Sequence, residues 1–228
     1  MSKGKWLVAL ALSGLFMFSS VTLSEDKKAE PKKDAAPAKP EPAKGGDKAP
    51  AKPGDPGAAA EAAAAAAWDA AAKPGPHHKH MEAFVGTFDS TNKFWMSPGA
   101  PPMESKGKMV NTMIFGGRYL KSEYNGEFMG EPFQGLGYLA YDNVAKKYTG
   151  TWIDNMGSGI YQSTGTCEAD GKTIKFTSKH WDPMSNAEET GTDVWKWTDA
   201  NTYVMSMSGK GPDGKEMKMM EITYTRAK

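Results

Sequence analysis

Asp170-Gly171-Lys172-Thr173-Ile174-Lys175-Phe176-Thr177 decides the fold. Asp-Gly suits the positive φ angles that a tight hairpin turn demands. The residues after it alternate, with Ile174 and Phe176 set between Thr173, Lys175 and Thr177, the period-two pattern of a strand with one buried and one wet face. The same reading extends outward in both directions. Met205 and Met207 alternate with Val204, Ser206 and Ser208, and further turns are expected at Asp199-Ala200-Asn201 and Pro212-Asp213-Gly214. From Gly86 onward, short β-rich runs are broken by turn signals at intervals of about ten residues, the spacing of an all-β sandwich or barrel. This gives about ten strands. With no helix-length segment between them, consecutive strands favour an up-and-down antiparallel β-barrel that closes on itself and leaves no open edge. A barrel of this size can enclose a small-ligand cavity. The Pro-rich stretch Met96 to Ser105 is placed at its mouth, as a lid.

The chain before Gly86 reads differently. Lys3 and Lys5 precede an apolar run from Trp6 to Phe18, which fits a signal peptide over residues 1–24. As a helix that run spans only ~20 Å, short of a ~30 Å hydrocarbon core. No transmembrane segment is therefore expected once the signal is removed, and an uncleaved signal would act as an anchor. Residues 25–57 are almost all Ala, Lys, Pro, Glu, Asp and Gly. Such a segment cannot bury enough apolar area to offset its ordering entropy and is expected to be a disordered spacer. A periplasmic or secreted location follows. Ala58 to Ala72 is an alanine-rich helix stopped by Pro74-Gly75-Pro76, with Trp68 as its one anchor point. A second short helical pattern covers His77 to Val85. The domain is thus drawn as 58–228.

Composition removes several function classes. Cys167 is the only cysteine, so neither an intramolecular disulfide nor a cysteine-based zinc or redox motif can form. Lys and Arg number 28 against 27 Asp and Glu, which leaves no basic footprint for nucleic acid.

Several strings occur in a recognisable order: Pro74-Gly75-Pro76-x-His78-Lys79, Val85-Gly86-Thr87-Phe88-Asp89, Lys93-Phe94-Trp95-Met96, Pro98-Gly99-Ala100-Pro101-Pro102-Met103, Gly116-Gly117-Arg118, Tyr141-Asp142-Asn143, Trp152-Ile153-Asp154 and Gly211-Pro212-Asp213-Gly214-Lys215. From about Trp68 to Arg226 the chain resembles the bacterial domain-of-unknown-function 1579 family. The resemblance implies a calycin-like (lipocalin-like) barrel and supplies no mechanism. Phe88 stands where a tryptophan would be expected. A more distant likeness is to haem-binding nitrobindin-type barrels, whose ligand is a histidine near the C-terminus. Glu216 to Arg226 contains none.

Individual motifs offer little chemistry. Gly135-Leu136-Gly137-Tyr138-Leu139-Ala140 matches a dinucleotide fingerprint in letters but reads as strand, and Gly209 to Lys215 reads as a turn rather than a phosphate loop. His77, His78 and His80 cannot all point one way on a helix, so a hydrogen-bonded His78 with two solvated neighbours is expected rather than a metal site. Met205, Met207, Met217, Met219 and Met220 are adaptable packing or pocket lining. No cofactor or metal is implied.

The aromatic residues Trp95, Trp152, Trp181, Trp195, Trp197, Tyr119, Tyr124, Tyr138, Tyr148 and Tyr161 exceed what filling requires, so some are expected to line a cavity. Candidate ligand-binding residues are Trp95, Arg118, Glu123, Gln134, Tyr138, Trp152 and Asp154, since apolar pockets orient ligands with a few placed polar groups. Their facing hangs on register, because a one-residue slip moves every side chain to the other face. The leading expectation is a non-catalytic barrel holding a small, largely apolar ligand. Two alternatives stand beside it: an enzyme using Asp154, Glu123 or His78 as acid or base, and an envelope-interaction protein with a filled barrel.

Overall fold

The computed structural model describes residues 56–182, 186–211 and 214–228. The expected signal peptide and nearly all of the expected linker lie outside them. Ten antiparallel strands form one closed barrel in sequential order: β1 (Gly86–Phe94), β2 (Met103–Ile114), β3 (Tyr119–Phe128), β4 (Glu131–Asp142), β5 (Lys147–Asp154), β6 (Tyr161–Cys167), β7 (Thr173–Asp182), β8 (Ala187–Trp197), β9 (Thr202–Lys210) and β10 (Glu216–Arg226). β1 pairs with β10, Ser90 opposite Tyr224, and this closes the sheet. The Asp170-Gly171 turn is present, with Gly171 at φ 64° and the Asp170 carboxylate accepting from the Lys172 and Thr173 amides. The lid loop is shorter than expected, because Met103 to Ser105 already pair with β1.

Two helices precede the barrel, α1 (Pro56–Ala72) and α2 (Pro76–Glu82). The compact unit that carries the barrel begins at Trp68, and residues 56–67 belong to a separate unit. Trp68 is not the anchor expected of it: its side chain is exposed. The end of α1 is held instead by Asn143, in the β4–β5 turn. Its amide donates to the carbonyls of Ala71 and Lys73 at 3.0 and 2.8 Å, supplying partners for a helix C-terminus that lacks them. Among the described residues no helix is long and apolar enough to cross a membrane.

α2 shuts one end of the barrel. Pro76 opens it, and Gly75 donates its amide to His78 Nδ1 at 3.0 Å. Met81 and Phe84 then enter the barrel end, both fully buried. The Phe84 ring lies 5.1 Å from the rings of Trp197 and Tyr203 and 5.9 Å from Trp195. Burying one such side chain is worth about 1.5–3 kcal/mol, and aromatic edge contacts add to that. Arg226 ties the last strand to the helix exit. Its guanidinium lies over Phe88 and donates to the carbonyls of Val85 and Ala83 at 2.7 and 3.0 Å. Phe88 thus fills the position where a tryptophan was expected, packed between Arg226 and Tyr203.

Candidate functional site

The interior divides along the barrel axis. Toward α2 most inward positions are large and buried, among them Phe88, Leu120, Leu139, Tyr148, Ile174, Tyr203 and Tyr224, with Tyr141, Trp195 and Trp197 partly buried. Toward the opposite end, where the loop after Phe94 and the β3–β4 and β5–β6 connections lie, large apolar side chains alternate with small and polar ones. Phe133, Trp152, Asp154, Tyr161, Ser163, Gly191 and Met207 sit at inward register positions yet are only partly buried, so water reaches them. This half is open.

Trp152 sets the shape of one wall. It points inward from β5, and its indole lies flat against β4, where a Cβ on Gly135 would overlap the ring and one on Gly137 would come within 2.8 Å of it. The Gly-x-Gly pair is therefore a bed for an aromatic ring, which gives the strand reading of that motif its physical reason. Trp152 Nε1 donates to Asp154 Oδ2 at 3.0 Å, and Asp154 Oδ1 accepts from the Met156 amide at 2.9 Å. An apolar wall continues through Phe133, Phe128 and Phe94, with Phe94 and Phe128 edge to face at 4.7 Å.

Two buried polar groups interrupt the apolar lining. On β1 and β3, Tyr124 Oη accepts from Asn92 Nδ2 at 2.8 Å and shares a hydrogen bond with Ser90 Oγ at 3.0 Å. Asn92 Nδ2 also reaches Ser105 Oγ at 2.9 Å, while its Oδ1, fully buried, has no partner. On β6, β7 and β8, Asp193 accepts from Tyr161 Oη at 3.0 Å to each carboxylate oxygen and from Ser178 Oγ at 3.3 Å. Asp193 is only 5% exposed. Burial pushes its carboxyl up to about 6, against the opposing pull of the two hydroxyls. Burial and the neighbouring Asp193 push the Tyr161 phenol well above its ordinary value.

Of the residues expected to bind a ligand, Trp152 and Asp154 point inward in the open half. Glu123, Gln134 and Tyr138 lie on the outer face. Glu123 pairs there with Lys121 at 2.9 Å and Gln134 with Asn125 at 3.2 Å, because the inward positions of β3 and β4 fall to Leu120, Tyr124, Phe133, Gly135 and Leu139. Trp95 leaves the end of β1 on the outside, with Lys218 Nζ 5.6 Å above its ring. Arg118 belongs to the wrong end: it sits in the β2–β3 turn beside α2, donating to the Phe115 carbonyl at 3.0 Å. Glu123, Asp154 and His78 are thus on the outer face, in the open half and at the closed end, and cannot share one acid–base step. Asp193 was missed. The available signal was a carboxylate at the same parity as Trp195 and Trp197 in an otherwise alternating strand.

The histidines also depart from expectation. His78 is buried, but its neighbours are engaged as well: His77 Nδ1 and His80 Nδ1 lie 3.1 and 3.0 Å from the hydroxyl of fully buried Tyr148. One phenol proton can serve only one of two acceptors, so one imidazole carries its proton on Nδ1 and the other accepts. His77 also stacks on Tyr141 at 3.9 Å. Burial holds His78 and His80 below their ordinary value, and the Arg118 guanidinium adds to the effect at His78. Among the described residues no three His, Cys, Asp or Glu side chains converge as a metal site. Two surface depressions, of about 410 and 360 Å³, lie beside α2 and along the β1–β2 side, away from the open interior.

A family described as a protein of unknown function, DUF1579, matches residues 73–226. The chain belongs to that family. The match spans α2 and the whole barrel. Comparison with curated proteins returns no match. Among solved structures, the chain is similar to Rv2717c from M. tuberculosis, at TM-score 0.52 and 15% identity, covering 68% of this chain and 100% of that one. It is also similar to the S-type phycobiliprotein lyase CPES from Guillardia theta, at TM-score 0.46 and 13% identity, covering 67% of this chain and 93% of that one. At these identities the likeness to Rv2717c is one of fold.

Proposed function

We propose that this DUF1579 protein is a non-catalytic carrier that holds a small, largely apolar ligand in the open half of its barrel, on the far side of the membrane that its N-terminal segment directs it across. The observation that carries the reading is the division of the interior. One end is packed with buried aromatic side chains beneath α2, whereas inward-facing Phe133, Trp152, Ser163 and Met207 at the other end stay partly exposed. A barrel serving only as a scaffold gains by filling both ends, since each unfilled apolar position forgoes burial energy. Lining of this kind, apolar walls with a few placed polar groups, is the usual composition of a ligand pocket.

The test is native mass spectrometry of the full chain purified from its host, alongside titration with an apolar fluorescent probe. A retained small molecule or saturable probe binding is expected, and Ser163→Trp, which plugs the open half from β6, should abolish it. A chain that carries nothing and binds no probe, or a probe that binds the plugged variant equally well, would overturn the reading.

A further inference from the structure

The electrostatics of the open half are one-sided. Along β5, β7 and β8 its inward positions carry Asp154, Asp182, Glu189 and Asp193, with His180 opposite Glu189 and 5.8 Å from the Tyr161 ring, and among the described residues none of its inward positions carries Lys or Arg. The lysines of these strands lie on the outer face, in pairs such as Lys121–Glu123 and Lys179–Glu188. A buried carboxylate is ordinarily paired with a cation, because its desolvation otherwise goes uncompensated. Asp193 has only two neutral hydroxyls, Tyr161 and Ser178. Independently of these carboxylates, Asn92 on β1 presents a second buried inward acceptor, Oδ1, with no donor. The interior therefore offers acceptors and negative charge that no lysine or arginine offsets, and sets them against the apolar surface of Phe133, Trp152 and Met207.

We propose that the open half takes a small organic amine, a protonated amino group on an apolar body, with its ammonium at the Asp193 carboxylate. This rests on the ligand-binding reading above and names the class of ligand. The ammonium supplies the cation that Asp193 lacks, and the apolar body lies along the wall formed by Trp152 and Phe133. Tyr161 and Ser178 hold the carboxylate in place as positioning residues. Carboxylic acids are disfavoured by the same charges.

Calorimetric titration of the full chain with hexylamine, hexanol and hexanoate at neutral pH tests it, because the three share one apolar body. Hexylamine should bind about tenfold more tightly than hexanol, as expected for one hydrogen bond to a charged group, and hexanoate most weakly. In Asp193→Asn the amine and alcohol should bind alike, while Glu189→Gln keeps the preference. An amine that binds wild-type protein no better than the alcohol overturns the inference and leaves the carrier reading standing, as does a preference that survives in Asp193→Asn. Failure of all three to bind overturns both. The wild-type comparison holds even where Asp193→Asn does not fold.

Discussion

Replacing Gly135 by alanine tests whether the open half is built around the Trp152 ring. The added Cβ would overlap the indole, and strand backbone holds both residues, Gly135 pairing with Asp154 and Gly137 with Trp152. The ring has to move. Overpacking of this kind costs about 1–3 kcal/mol, and displacing the ring also breaks the 3.0 Å bond from Nε1 to Asp154, worth about 1 kcal/mol at a partly wet site. Relief of glycine's unfolded-state entropy returns roughly 0.5–1 kcal/mol. The net loss is about 2 kcal/mol, or a fall of ~4–8 °C in Tm for a domain of this size.

Thermal and urea unfolding, followed by circular dichroism and tryptophan emission, measures that loss. The decisive comparison is a double-mutant cycle with Trp152→Val, which removes the ring and keeps strand preference. In that background Gly135→Ala should be neutral or slightly stabilising, giving a coupling of about 2 kcal/mol. An equal loss in both backgrounds would place the cause in the backbone and refute the idea that the glycine exists to seat the indole.

Tyr148→Phe should destabilise by about 1–3 kcal/mol, because it strands Nδ1 of the half-buried His80 and removes the partner of the exposed His77, and amide exchange in α2 should quicken with it; unchanged urea stability would show that the histidines do not depend on the phenol. Asp193 is held near 6 in the fold against an ordinary 3.8, so the unfolded chain loses that proton first as pH rises. Its ionisation therefore removes about 3 kcal/mol of stability between roughly pH 4 and pH 6.5, and the stability difference between Asp193→Asn and wild type should grow across that window and level off above it. His78 and His80 act with the opposite sign: held low, they withhold protons that the unfolded chain accepts, so their contribution is present above their ordinary 6.5 and is lost on acidification. Asn143→Ala should leave the barrel's melting temperature within about 1–2 °C of wild type while amide exchange quickens at Ala70 to Lys73, since it removes only the partners of the α1 C-terminus.

The barrel was legible because alternation and turn chemistry act locally. Ile174 and Phe176 against Lys175, and Asp170-Gly171 before them, specify strand and hairpin without reference to any other part of the chain. Facing was harder. Tyr138 and Gln134 have the chemistry of pocket residues, but the inward parity of β4 belongs to Phe133, Gly135, Gly137, Leu139 and Tyr141, and only closure of the sheet fixes that parity. Arg118 failed for a different reason. Its strand neighbours are plausible pocket residues, and nothing local says which end of an up-and-down barrel a turn belongs to until α2 is seen to occupy one of them. The histidines failed because their partner, Tyr148, is distant in sequence and meets them only once α2 has docked.

That docking also determines how binding is separated from stability. Phe84 and Met81 close the barrel at the end where Trp195, Trp197, Tyr203 and Tyr224 are already packed, so a ligand can enter only past the opposite loops. The exposed apolar side chains Met129 and Trp181 stand at that same end, on the β3–β4 turn and at the end of β7. Substitutions beneath α2 should therefore alter stability with little effect on which ligand is held, because they change a region no ligand reaches. In the open half the two are coupled: the small and polar residues that leave room around Trp152 and Asp193 are places where the chain forgoes burial. Deepening the aromatic packing into that half, by exchanging Ser163 or Met207 for larger apolar residues, should raise stability wherever the backbone tolerates the new side chain, and should remove binding to the same extent, whereas Gly191 offers no such room, because a Cβ there would lie 2.9 Å from Ser178 Oγ and 3.1 Å from the Ser208 carbonyl.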